Sequence, residues 1–120
     1  MHIAVSVVLK NSKGQILAVS RKTDHEDFGL PGGKLEDIDR SIEDAIVRET
    51  IEETGLKIFN LQLIHSGEWN GNIENTYIAD WVGAIDTDEP HVVKWAAPEL
   101  VTKGSFGEYN KMILAKLLLI

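Results

Sequence analysis

The sequence predicts an α/β fold in which a mixed β-sheet lies between helices. Three observations carry this. Short runs rich in Val and Ile recur on both sides of one helical segment over 41–54. A second helical pattern closes the chain. No internal repeat, low-complexity tract or linker interrupts the 120 residues, a length that suits one domain spanning 1–120.

Residues 2–10 alternate loosely and read as a strand. Asn11-Ser12-Lys13-Gly14 is a hairpin turn, and Gln15 to Arg21 is the returning strand, with Ile16, Ala18 and Ser20 on one face and Leu17 and Val19 on the other. After a polar loop, Phe28-Gly29-Leu30-Pro31 leads into Gly32-Gly33. Proline fixes φ before this turn, and the glycines permit backbone shapes or close approaches that a Cβ forbids. Ser41 is an N-cap with Asp44 three residues on, and Gly55 is a C-terminal cap. Ile42, Ala45, Ile46 and Ile51 give this helix an apolar side. Leu56 to His65 and Tyr77 to Ile85 read as strands around the turn Trp69-Asn70-Gly71-Asn72, and His91 to Trp95 as a short strand. Pro98 opens a short helix to Val101. Ser105-Phe106-Gly107-Glu108 has a capping-box pattern before a last helix carrying Met112, Ile113, Leu117 and Ile120 as its stripe.

The acidic residues of the first helix point to chemistry. Glu49, Glu52 and Glu53 stand at i, i+3 and i+4, on one face, with roughly 5–6 Å between neighbouring Cβ atoms. Like charges so placed repel, and the C-terminal end of a helix favours cations instead. A solvated acidic face explains each glutamate singly. It does not explain their company: a Pro-Gly-Gly turn, an adjacent Arg48 and a closing Gly55. A divalent cation with oxygen ligands does.

The segment Gly33…Arg48-Glu49-Thr50-Ile51-Glu52-Glu53-Thr54-Gly55-Leu56 resembles the Nudix box, G-x5-E-x7-R-E-U-x-E-E-x-G-U, where U is a bulky apolar residue. Thr50 stands where U is expected. Asp39 takes the place of the first Glu, and Arg48 lies one residue farther on than in the pattern. The resemblance implies an α/β/α sandwich and a hydrolase of phosphoanhydrides. It also implies that Glu49, Glu52 and Glu53 hold Mg²⁺, or Mn²⁺ in its place, with the Gly32 carbonyl as a further ligand. Arg48 lies among Asp44, Glu49 and Glu52, so it is expected to orient the acids. Glu52, Glu53 and Glu89 are the candidates to accept a proton from the attacking water.

Composition narrows the partners. A hydrophobic share of 43% supports a real core, and the absence of Cys removes disulfides, thiol nucleophiles and Cys-ligated zinc. A formal charge of −7 without a basic stripe argues against long nucleic acid and suits a small phosphorylated ligand carried with its metal. The first nine residues lack a basic region and a cleavage site, and the apolar tail 113–120 is far below the ~20 residues of a membrane span. Cytosol is the expected compartment, with no membrane partner. The four His residues show no ligand spacing and read as structural or solvated.

Outside the box, three features are similar to the MutT-like nucleoside triphosphate branch. Glu89 lies six residues before Trp95. Phe106 and Asn110 stand four apart at the head of the last helix. The run Asn110…Ala115-Lys116-Leu117 resembles the segment whose Asn recognises an oxidised guanine. Asn suits a base edge because it supplies a donor and an acceptor; it also suits a first helical turn. Glu89 reads equally as part of an acidic loop with Asp86 and Asp88. Arg21 and Lys34 are placed to meet a phosphate or to be solvated. Phe28 is placed to stack a base, as are Leu30 and Trp69; Trp81 shares that chemistry but is assigned first to core packing. A nucleoside triphosphate, 8-oxo-dGTP included, is the first expectation. A nucleotide sugar, a dinucleoside polyphosphate or a non-catalytic nucleotide-binding domain are the alternatives.

Overall fold

A computed structural model describes all 120 residues. Its strands are β1 (Ile3–Val8), β2 (Ile16–Ser20), β3 (Phe28–Gly29), β4 (Gly32–Lys34), β5 (Lys57–Trp69), β6 (Asn72–Val82) and β7 (Val93–Ala96); its helices are α1 (Ile42–Thr54) and α2 (Gly107–Lys116), with a 3-10 turn over Pro98–Thr102. The predicted α/β layering holds, but the strands form two sheets rather than one. A four-stranded sheet runs β4-β1-β6-β5 and a three-stranded sheet runs β3-β2-β7. Only β1 and β6 pair in parallel; the other pairs are antiparallel.

Strand alternation feeds two cores. Val5, Val7, Leu9 and Leu17 turn toward α1 and join Ala45, Ile46, Leu56, Ile58 and Tyr77. Val8, Ile16 and Ala18 turn the opposite way and join Val101, Tyr109, Ile113 and Leu114. Both faces of β2 are therefore covered, and all five of its residues are buried. No helix is long and apolar enough to cross a membrane.

Helix α1 starts as expected, with the Asp44 N–H donating to Ser41 Oγ at 3.0 Å. It ends on Gly55 at φ 81°. Its apolar side differs from the expectation in one residue. Ile51 is 46% exposed, whereas Thr50 is fully buried. Thr50 fits because its hydroxyl donates back to the Ile46 carbonyl at 2.7 Å, so no polar group is left unpaired in the core. Thr54 repeats the device on the Thr50 carbonyl.

The β5–β6 hairpin turns at Asn70 and Gly71, both with positive φ (49° and 82°), as a two-residue Asn-Gly turn requires. β5 is longer than the sequence pattern suggested. It runs on to Trp69 and absorbs two register shifts, between Phe59 and Gln62 and between Leu63 and His65.

Two expectations at the C-terminus fail. The Ser105 capping box does not form: Phe106 is the N-cap residue and makes no side-chain cap bond. The Ser105 backbone N–H instead donates to Asp27 Oδ1 at 2.9 Å, tying this end of α2 to the loop before β3. The helix stops at Lys116, so Ile120 falls off the stripe and is 45% exposed; Leu114 and Tyr109 take the buried positions.

Gly32 and Gly33 are needed for close approach, not for unusual φ. A Cβ on Gly32 would overlap the Val5 carbonyl oxygen, a backbone atom that cannot yield. Gly32→Ala is therefore expected to part β4 from β1 and to lower stability by roughly 1–3 kcal/mol, read as a fall in the urea midpoint.

Candidate active site

The site lies where β4 meets the C-terminal half of α1. Along β4, the Val7 N–H donates to the Pro31 carbonyl at 3.0 Å and the Leu35 N–H to the Ile3 carbonyl at 2.9 Å. Hydrogen-bonded positions alternate in an antiparallel ladder, so both backbone groups of Gly32 turn away from β1. β4 is an edge strand. The free N–H of Gly32 donates to Glu53 Oε1 at 2.8 Å. Its carbonyl shares that outward edge, which suits the ligand role expected of it.

Glu53 makes no salt bridge. Burial pushes its carboxyl up to about 8, with the negative charges of Glu49 and Glu89 adding to the rise and the Gly32 N–H and Lys22 opposing it. Glu49 is also raised, chiefly by burial, against the pull of Arg48. Gly33 packs so closely on Glu49 that a Cβ would overlap its carboxylate. Glu52 is half exposed. No three acidic or imidazole groups already converge as a closed cage.

Of the three acids expected around Arg48, Glu49 and Glu52 are its partners, while Asp39 takes the place of Asp44. Its Nε and Nη2 donate to the two oxygens of Asp39 at 2.8 and 2.9 Å. Its Nη1 donates to Glu49 Oε1 at 3.0 Å and lies 3.3 Å from Glu52 Oε2. Its Nη2 also reaches the Lys34 carbonyl at 3.3 Å. Arg48 thus ties α1 to the loop after β4 and to both flanking acids. Asp39, where the Nudix pattern has Glu, is the other jaw of the clamp. It also accepts the Glu36 N–H at 2.9 Å, and the Arg48 hydrogen bonds hold its carboxyl below the usual range. The lengthened 37–40 loop therefore delivers a carboxylate to Arg48.

The end of α1 is closed by a distant loop. The Glu52 carbonyl accepts from Thr87 Oγ1 at 2.8 Å, the Glu53 carbonyl from His91 Nε2 at 2.8 Å, and the Thr54 carbonyl from the Asp86 N–H at 2.9 Å. Three carbonyls that a helix end leaves orphaned are thereby satisfied. His91 is thus bonded to the end of α1, and β7 begins at Val93, two residues later than expected. The same loop carries Glu89 toward the acids, where Lys22 Nζ pairs with Glu89 Oε2 at 2.8 Å. That hydrogen bond lowers the Glu89 carboxyl.

Beside the acids opens a cavity of about 460 Å³. Arg21, Gly32, Lys34, Glu53, Phe106 and Asn110, all singled out from sequence, line it together. Glu49, Glu52 and Glu89 do not line it; Glu52 and Glu89 border a separate acidic hollow with Asp86 and Asp88. Arg21 is exposed and lies 3.8 Å from Asp27. Asn110 is buried, and its Nδ2 donates to the Val101 carbonyl at 3.0 Å. Its Oδ1 has no protein partner, yet no buried side-chain polar atom is left unpaired, so that oxygen opens to the cavity.

Phe28 is a correction. Its ring is only 6% exposed, belongs to the core under α2 and has Lys94 Nζ 4.7 Å above it. Alternation along β3 sends Phe28 into the core and gives Gly29 to the cavity. Leu30 does reach the cavity. Trp69 packs edge-on against Tyr109, so it is not free to stack, and Trp81 packs on Trp95 with the rings tilted by 38°, in the core role assigned to it. Sequence reasoning passed over Lys22, Glu74 and Tyr109, which also line the cavity. Lys22 adjoins Arg21 and had a signal of charge; Glu74 is revealed only by sheet register and Tyr109 only by the packing of α2.

Residues 1–116 match the NUDIX domain family. A MutT-like protein of Streptomyces ambofaciens is 28% identical over 105 residues, covering 84% of this chain and 67% of that protein. A solved MutT structure of Aliivibrio salmonicida or Vibrio cholerae superposes with a TM-score of 0.77 at 24% identity, covering 96% of this chain and 98% of that one. An ADP-ribose pyrophosphatase from Streptococcus suis superposes with a TM-score of 0.78 at 19% identity, covering 98% and 89%. At such identities the solved structures speak for the fold. With the family match across nearly the whole chain and the Arg48–Glu53 arrangement, this protein belongs to the Nudix hydrolase family.

Proposed function

We propose that the chain, as a single domain over 1–120, is a metal-dependent pyrophosphohydrolase that cleaves a nucleoside triphosphate to a monophosphate and pyrophosphate. One observation carries the reading. Glu53, a carboxylate in a buried setting with like-charged neighbours and no salt bridge, borders the same cavity as the half-satisfied amide of Asn110.

The donor set fits a hard divalent cation. Glu53, Glu49, Glu52 and the outward carbonyl of Gly32 supply oxygen atoms only, the ligands that Mg²⁺ or Mn²⁺ prefers. Such a cation, when bound by these residues, would supply positive charge to the phosphate oxygens and would acidify the attacking water. The protein's residues do the rest. Arg48 keeps Glu49 and Glu52 in place. Arg21, Lys22 and Lys34 set positive charge around the phosphates. Glu52, Glu53 or Glu89 accepts the water's proton, and Glu89 has its acceptor form favoured by Lys22.

Asn110 favours an oxidised purine on chemical grounds. 8-Oxoguanine presents an N7–H donor beside its O6 acceptor, which matches the free Oδ1 and the second Nδ2 hydrogen. Guanine has an acceptor at N7, which would face Oδ1 without a proton between them. The cytosol is the proposed compartment.

A panel of nucleoside triphosphates, nucleotide sugars, ADP-ribose and dinucleoside polyphosphates tests this reading. Pyrophosphate release from a triphosphate is expected with Mg²⁺, is abolished by a chelator and is restored by adding metal back. Turnover confined to ADP-ribose or nucleotide sugars would move the substrate to the alternative class. No turnover of any member would make the domain a binder.

A further inference from the structure

The cavity holds one ionisable group that the proposed mechanism does not use. Glu74 lies on β6, and alternation puts Glu74, Thr76 and Ile78 on the face toward α2. Thr76 Oγ1 shares a 2.6 Å hydrogen bond with Tyr109 Oη, and Ile78 packs against the core beneath α2. Glu74 comes next on this face and lines the cavity together with Tyr109 and Asn110. Its cross-strand neighbours are Ala4 on β1 and Gly67 on β5, so neither flank is blocked by a bulky side chain. The Glu74 side chain forms no salt bridge and no hydrogen bond; burial is the single cause that raises its carboxyl. A half-buried acid without a partner is costly unless donors meet it.

We propose that Glu74 is a specificity residue that reads the Watson–Crick edge of a guanine-type base held in this cavity. The inference rests on the reading of the cavity as a nucleotide site. Guanine and 8-oxoguanine carry two adjacent donors, N1–H and an N2 hydrogen, which match the two oxygens of a carboxylate. Adenine sets an acceptor at N1 beside its N6 donor, and cytosine sets one at N3; each would face carboxylate lone pairs. Thymine has one donor, N3–H, between two carbonyl oxygens. Glu74 would therefore select the base type, while Asn110 reads the opposite, imidazole side and senses oxidation. A site built to receive hydrogen-bond donors rejects analogues that lack them, because its own polar atoms are then left unpaired.

The test is equilibrium binding of dGMP, 8-oxo-dGMP and dAMP by calorimetry, with wild type and Glu74→Gln. Wild type is expected to prefer the guanine nucleotides over dAMP by roughly ten- to a hundredfold. Glutamine presents one donor and one acceptor, the complement of the adenine edge. The variant is therefore expected to lose that preference or reverse it, with a melting temperature at or above that of wild type. Glu74→Asp serves if the glutamine variant does not fold, because drawing the carboxylate back by one methylene must also lower the preference. A wild type without guanine preference, or a variant that keeps it, overturns the assignment. Hydrolysis is read separately. Guanine preference that depends on Glu74, in a protein that releases no pyrophosphate, would sink the proposed activity and leave the base assignment standing.

Discussion

Glu53→Gln is expected to reduce turnover by about 10²–10⁴-fold while the protein stays folded. The amide keeps an oxygen to accept the Gly32 N–H, now at 2.8 Å, so β4 and α1 stay joined. What disappears is the negative charge proposed to face the metal. Stability should move the other way. In the metal-free protein the folded-state carboxyl of Glu53 sits at about 8 against an ordinary 4.5. An acid whose pKa is raised on folding costs stability once the unfolded chain ionises, and that cost grows as pH rises from about 4.5 to about 8. Metal-free wild type should therefore lose melting temperature across that window, and Glu53→Gln should lose less. A variant with wild-type turnover would remove Glu53 from the metal site. Equal pH profiles would contradict its buried, unpaired setting.

The second large effect is expected at Arg48. Arg48→Lys keeps the charge but cannot grip both oxygens of Asp39 while reaching Glu49 and Glu52. Two acids then lose their orientation, and metal affinity or turnover should fall about 10–100-fold, as when a ligand-orienting partner is lost. Asp39→Asn should act through the same clamp. The double variant is then expected to cost little more than the worse single variant. Full additivity of the two losses, measured by steady-state kinetics over a metal titration, would show that Asp39 and Arg48 act apart.

Much of this site was legible because its chemistry is local. The spacing of Glu49, Glu52 and Glu53 and the Ser41 and Gly55 caps lie within one stretch, and the caps behave as local physics requires. Gly32 and Gly33 read as a turn in the sequence but form strand β4, where their contacts with Val5 and Glu49 are long-range. Thr50 was legible only as a departure. Its fitness for the core depends on a hydroxyl bond to the Ile46 carbonyl, which apolar periodicity does not encode. Ile51 failed for the same reason, since the helix face was taken from hydrophobicity alone. Phe28 failed because a two-residue strand gives no periodicity from which to choose a face. The loop over 86–91 was read as an acidic connection. Its bonds to the end of α1 join residues 32 to 38 positions apart, beyond the reach of any local pattern. Glu74 was hidden in the same way, because the cavity exists only once β1, β6 and α2 are brought together.

The central claim is that the acids of α1 hold a divalent cation with Glu53 as its anchor. Mn²⁺ binding followed by electron paramagnetic resonance, with a nucleotide present, addresses it most directly. Wild type is predicted to bind Mn²⁺ saturably, with Mg²⁺ displacing it, and folded Glu53→Gln is predicted to lose most of that binding. No bound Mn²⁺ in wild type, or the same affinity and stoichiometry in Glu53→Gln, would contradict the account.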